Sequence, residues 1–257
     1  MAMTASAPTA RACRLNSMVC GVETPWTPNT TDAAGRRYCF KNQPHIALWN
    51  LGRLANALFP VMGHEKPLKD ALDHALAHHA REQNKMLAGK LGLGQFRPKE
   101  DPRLISDLFD LLSRTETDYT LFFRNLAALD SRTDFSQRQI PGFLKTAYYG
   151  PEKITQDYLD RLYSWLDRYV ERLEADGLDP AEKKARMNRA NPLYVLRNYL
   201  AQIAIEKAEK GDFSEIHALL DVMRRPYELQ PGMERFAEKR PEWARNKPGC
   251  SMLSCSS

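Results

Sequence analysis

His74, His78 and His79, in the run DHALAHHA, put two imidazoles one helical turn apart, a spacing able to chelate a divalent metal. The HExxH pattern is missing and no third ligand is fixed nearby. Surface histidines on a helix, one of them turned inward, are the simpler reading. Gly89-Lys90-Leu91-Gly92-Leu93-Gly94 superficially resembles a phosphate loop. A nucleotide cradle needs Gly-Lys-Ser/Thr opening a helix, or a glycine run following a strand. Here the glycines end an apolar-periodic stretch and precede Pro98, so they read as a helix C-cap and loop. Asp118, Asp157, Asp160 and Asp167 invite a paired-carboxylate argument. Among so many arginines and lysines they are expected to be solvated ion-pair partners, worth about 0.3–0.5 kcal/mol each. Asp157 with Arg161 and Glu206 with Lys210 have the favourable i,i+4 order.

Cys250 and Cys255, in GCSMLSCSS, are the candidate redox residues. A thiol near a small-residue terminus is expected to be accessible to oxidation or mixed-disulfide exchange. The five cysteines cluster towards the two ends, with none between Phe40 and Gly249. An odd, sparse count of this kind argues against an extracellular disulfide framework, and the absence of a CxxC pair argues against zinc. No catalytic, cofactor-binding or metal-binding residue is expected from these patterns.

The elements that must carry these residues are helical. The 257 residues are 43% hydrophobic and 27% charged, with a formal charge of +5 spread along the chain. No apolar run approaches the ~18 residues needed to cross a bilayer. Nucleic-acid binding through Arg235, Lys239, Arg240, Arg245 and Lys247 is a weak reading, because no basic stripe or motif accompanies them. Residues 1–31 are rich in Ala, Thr and Pro without periodicity, and are expected to be a disordered or aberrant segment. They hold no secretory h-region. An organelle transit peptide is suggested by Arg11 and Arg14 but lacks its amphipathic helix, so a cytoplasmic, bacterial location is the expectation and a mitochondrial one the alternative.

From Pro44 onward the spacing predicts an all-α domain over residues 32–226, followed by an extended tail, 227–257. A first helix presents Ala47, Leu48, Leu51, Leu54, Ala55 and Leu58 and stops at Pro60. A second, over 67–91, buries Leu68, Leu72, Leu76, His79 and Met86. Pro102 opens a third with Leu104, Ile105, Leu108, Leu111 and Leu112, and 119–129 form an aromatic fourth. Residues 131–151 read as a loop with short turns. Helices over 155–175 and 180–189 follow. Trp49 and Trp165 are expected in the core, and Trp243 as the tail's apolar anchor. The stretch NPLYVLRNYLAQIAIEKAEKGD, residues 191–212, predicts a helix with Asn191 as N-cap, Pro192 in its first turn and Gly211 as its stop. Asp212 and Glu215 predict a capping box for the next helix, which ends near Arg225.

Three segments in the same order resemble the selenoprotein O family: RRYCFKNQPHIALWNLGRLANAL (36–58), TETDYTLFFRNL (115–126) and NPLYVLRNYLAQIAIEKAEKGD (191–212). The terminal Cys255-Ser256-Ser257 is similar too, and the resemblance extends over residues 29–257. It implies the helical C-lobe of a protein-kinase-like fold, from pseudokinases that transfer AMP from ATP with Mg²⁺, or UMP from UTP with Mn²⁺, to protein hydroxyls. The partners implied are protein substrates, with no nucleic acid and no membrane.

That chemistry needs a glycine-rich loop over the phosphates, a basic residue and Asn/Asp metal ligands. In the family these precede the matching segment, and none has a substitute here. Thr133-Asp134-Phe135-Ser136 lacks the glycine of a metal-binding DFG motif. The chain is therefore expected to be a C-terminal fragment, inactive alone. Residues 29–32 read as the end of an activation loop, with Pro28 where the family often has a cysteine able to pair with the C-terminal one. The alternative is a non-catalytic helical interaction module, with Phe122, Phe123 and the Trp165 face exposed.

Overall fold

The computed structural model describes residues 43–129, 139–247 and 249–250. The expectations for residues 1–32, residues 133–136 and Cys255 fall outside that set. The described residues are mostly helical, and their one β feature is an antiparallel bridge between Thr117 and Tyr148. No described helix is long and apolar enough to cross a membrane.

Helix α1 (Gln43–Met62) and helix α2 (Glu65–Lys90) form a hairpin. Pro60, predicted to end α1, lies inside it. In the last turn a missing N–H costs only one helical bond. Gly63 N–H then closes the end on Phe59 O at 2.8 Å. The hairpin departs from the predicted burial. Trp49, Leu51, Leu54, Leu58, Leu76 and Met86 are exposed, and Leu68, Leu72 and His79 are only half-buried. Only the C-terminal end of α2, with Ala88 and Lys90, enters the protein core.

A Schellman motif stops α2. Gly92 N–H donates to Gly89 O and Leu93 N–H to Ala88 O, with Gly92 at φ 68°. The glycine run is thus the C-cap that was expected, and it delivers Leu91 and Leu93 into the core. Helix α3 (Asp101–Ser113) packs on helix α5 (Gln156–Glu174), and helix α4 (Tyr119–Leu126) contacts helix α6 (Pro180–Ala190). Buried Tyr158, Leu162, Trp165, Leu166 and Tyr169 give α5 its predicted apolar side. Trp165 Nε1 donates to Leu104 O at 2.8 Å, and Tyr169 OH to Leu91 O at 2.6 Å, so each large ring keeps its polar end satisfied. The predicted loop after α4 has its short turn at Lys145–Ala147, yet Leu144, Ala147 and Tyr148 are fully buried.

Helix α7 begins only at Asn198 (Asn198–Ala208), so the predicted start at Asn191 is corrected. Residues 191–197 are irregular, with Tyr194 and Val195 fully buried. Two tertiary demands override the local signal. Leu193 and Tyr194 N–H both donate to Pro226 O, and the side chains of Asn191 and Arg197 are held elsewhere. Gly211 does stop the helix, at φ 81°. The capping box does not form. Asp212 Oδ1 accepts from Ser214 N–H at the mouth of helix α8 (Ser214–Arg224), and Glu215 turns to Lys207 and Arg235.

Helices α7 and α8 and the tail enclose a second core around Tyr199, Leu200, Leu219, Val222 and Phe236. Phe236, in a single 3₁₀ turn (Glu234–Ala237), is the tail's buried anchor. Trp243 is half-exposed, edge-on to Tyr199 at 6.2 Å.

A Cβ at Gly92 would lie 2.7 Å from Lys183 Cγ and 2.9 Å from Met187 Cγ, whereas at Gly211 it meets open space. Gly92→Ala is therefore expected to cost about 2 kcal/mol or more, through strain and overpacking. Gly211→Ala, strained in φ alone, is expected to cost about 1 kcal/mol. Urea denaturation of the two variants measures the order.

Candidate functional site

Asp118, expected on a solvated face, has no solvent exposure. Its Oδ1 accepts from Leu121 N–H at 3.0 Å, making it the N-cap of α4. Both carboxylate oxygens also accept from the guanidinium of buried Arg197, Oδ1 at 3.2 Å. A bidentate pair of this kind is strong only because its geometry replaces the lost water. Just outside it, Glu116 accepts from Arg240 at 2.6 Å and pairs with Arg245 at 2.8 Å. Lys239 donates to Tyr148 O at 2.6 Å. The tail thus ties down the segment that carries Asp118.

A second buried network ties α3 to α5. Arg172 Nε donates to Asp101 Oδ1 at 2.7 Å, and its Nη1 lies 2.6 Å from Asp176. Asp176 also accepts from Gly94 N–H at 2.7 Å and from Arg97 at 2.9 Å. Burial opposes ionisation of Asp176, but Arg172, Gly94 N–H and Arg97 together hold its pKa below the usual value. The groove beside this network, about 620 Å³, is lined by Arg97, Asp101, Asp107, Arg168 and Arg172. Arg168 pairs with Asp107 at 2.7 Å across the groove.

Lys90 is buried beside Phe123, 4.6 Å from the ring centroid, and donates to Asn191 Oδ1 at 2.8 Å. Asn191 Nδ2 in turn donates to Lys90 O. Burial pushes the amine down to about 8. This answers the phosphate-loop question in geometry, because the lysine of that glycine run points into the protein.

Cys250, expected to be accessible, is buried in the second core, and burial raises its thiol pKa. A protonated, enclosed thiol is a poor nucleophile. His74 and His78 stack with centroids 6.4 Å apart. Among the described residues no group of three or more His, Cys, Asp or Glu side chains is placed to hold a metal ion.

Other expectations divide. Asp157 pairs with Arg161 at 2.9 Å on the surface, as the spacing indicates. Glu206 pairs with Lys247 rather than Lys210. Phe122, Phe123 and Trp165, offered as a sticky surface, are buried; exposed large apolar residues are densest on α1, with others on α2, around α7 and α8, and in the tail. The five tail cations are engaged internally, Arg235 with Glu215 at 2.5 Å among them.

The missed residues left some trace in the chain. Arg172 continues the spacing of Tyr158, Leu162, Trp165 and Tyr169, which places it on the buried side of α5. Asp118 stands three residues before Leu121, in the N-cap position of an apolar run.

These features define a helical protein braced by buried ion pairs. The family described as Protein adenylyltransferase SelO matches residues 20–224. The chain belongs to that family.

It is 48% identical over 240 residues to a protein nucleotidyltransferase YdiU of Rhodopirellula baltica, covering 90% of this chain and 44% of that protein. It is 50% identical to proteins of the same name from Aromatoleum aromaticum (232 residues) and Methylobacillus flagellatus (236 residues), each time over 90% of this chain and 43% of the relative. The chain thus spans less than half the length of these bacterial relatives.

Asp118→Ala strands Arg197 in the interior and removes the α4 cap. It is expected to cost about 3–5 kcal/mol. Asp118→Leu with Arg197→Met is expected to lose much less than the two single changes summed, as a double-mutant cycle in urea would measure.

The amine of Lys90 keeps its proton up to about 10.5 when unfolded but releases it near 8 when folded. Between those values the unfolded state holds more protons, so this group's contribution to stability rises with pH. The stability of the protein relative to Lys90→Met is expected to increase from pH 8 to 10, followed by urea midpoints.

Proposed function

We propose that this chain is the C-terminal helical part of a SelO-type protein nucleotidyltransferase, corresponding to the C-lobe of a kinase-like fold, and that by itself it transfers no nucleotide. The observation that carries this reading is the mismatch in coverage. Nine-tenths of the chain matches relatives of which it spans 43–44%.

The donor set of the described residues supports it. ATP with Mg²⁺, or UTP with Mn²⁺, demands free carboxylate or amide oxygens for the metal and a basic group facing the phosphates. Asp101, Asp107, Asp118 and Asp176 are each committed to an arginine, and Lys90 is enclosed. The described residues do not fit the nucleotide and its metal. Those groups belong to the remainder of a full-length family member, and protein hydroxyls are the acceptors of the complete enzyme.

In this reading the helices supply scaffold. The buried pairs Asp118–Arg197 and Asp101–Arg172 hold α4, α7, α3 and α5 rigid beneath a site completed from elsewhere. A cytoplasmic location in a bacterium belongs to the same proposal, as does a redox role for the C-terminal thiols. With Cys250 enclosed, that role falls to Cys255.

The purified chain, incubated with α-³²P-labelled ATP and Mg²⁺ or labelled UTP and Mn²⁺ plus a mixed protein acceptor, is expected to leave no label above a boiled control. Label on the acceptor or on the chain itself overturns the proposal.

A further inference from the structure

Helix α1 is apolar on more sides than the other described residues cover. Its main neighbour is α2, towards which Leu48, Gly52 and Ala55 turn a half-buried face. Leu51, Leu54, Leu58 and Met62 recur at i, i+3, i+7 and i+11 as a second stripe, and all four are exposed, Leu54 at 53%. Val61, beside the stripe, is 86% exposed. The helix has neither an acidic residue in its first turn nor a basic one in its last, and Arg53 is its one Lys, Arg, Asp or Glu residue. Apolar residues on every side mark a helix that folded proteins bury, and a contiguous stripe of this size marks an interface.

We infer that this stripe is the seat of the part of the family polypeptide that this chain does not match. The occupant follows from length. More than half of each relative has no counterpart here, while 90% of this chain aligns at 48–50% identity. The rest of the described protein closes two cores, and α1 carries the longest run of exposed large apolar residues, with a smaller set at Ile205, Phe213, Ile216 and Leu220 around α7 and α8. The inference rests on reading the chain as part of a longer enzyme, and it goes further by naming the contact surface.

The test compares two contexts. In the isolated chain, Leu54→Asp with Leu58→Asp falls on exposed positions and is expected to leave the melting temperature within about 1 °C, since surface substitutions cost little. The same pair is then placed in a full-length chimera, the Rhodopirellula baltica protein with its matching segment replaced by this chain. There the carboxylates would be buried without partners, and a fall of about 5 °C or more is expected. Leu54→Ala with Leu58→Ala is the milder version, expected to lower the chimera and spare the isolated chain.

Equal tolerance of both pairs in the two contexts overturns the inference. So does a chimera that aggregates while its parent stays soluble. A dimer of the isolated chain that Leu54→Asp with Leu58→Asp dissociates would give the face to a second copy, and also overturns it. Nucleotide transfer by the chain alone is a separate result: it refutes the proposed function and leaves the melting comparison to be judged on its own.

Discussion

The ion pair between Asp118 and Arg197 is the constraint around which the fold is arranged. Neither residue has appreciable access to water, so each charge depends on the other for its stability in the interior. Asp118 belongs to the start of α4 in the first core, and Arg197 stands immediately before α7 in the second. Holding Arg197 at φ −78°, ψ 145° keeps the backbone extended there, so α7 has no way to grow backward through residues 191–197. The extended segment then supplies Asn191 to Lys90 and presents Leu193 and Tyr194 N–H to Pro226 O. One charged contact thereby sets the relation of α2, α4, α7 and α8.

The helices themselves are largely written in the local pattern. The apolar period of α3 and α5, the aromatic run of α4 and the glycine stops at Gly92 and Gly211 depend on near neighbours, and they stand in the structure as the spacing indicates. The failures come where a distant partner decides. Asn191-Pro192 has the composition of a helix start, but Asn191 is claimed by Lys90, 101 positions away. Asp118 is 79 positions from Arg197, and nothing near it announces burial. Apolar period also says only that a face will be covered, never by what. For that reason Leu54 and Leu58 have the signature of core residues while standing exposed.

Function was legible at a different level from structure. The wording of residues 36–58, 115–126 and 191–212 carries the family resemblance, and several of the described residues among them make packing and backbone contacts. Phe122 and Phe123 pack the core, Arg124 donates to Asn188 O and Asn191 O, and Tyr194 OH meets the backbone at Gln230. The candidate chemistry, by contrast, dissolved into packing. Lys90 and Cys250 are both buried, and Asp118 and Asp157 are paired with arginines. A sequence can identify a family through residues that pack and cap, because packing constrains many positions at once.

The clasp of the tail on Glu116 has a consequence for how the protein is made. Arg240 bonds a carboxylate 124 positions earlier in the chain, and Lys239 a carbonyl 91 positions earlier. At roughly 5–20 residues per second of synthesis, Glu116 waits on the order of 6–25 s for its arginine. Until then Glu116, two residues before Asp118, lacks its tail partners, and α4 leaves the ribosome with its cap carboxylate awaiting a guanidinium still to be translated. Within this stretch a later-translated segment completes the surroundings of an earlier one, so the contact at Glu116 forms only after residue 240 has been made.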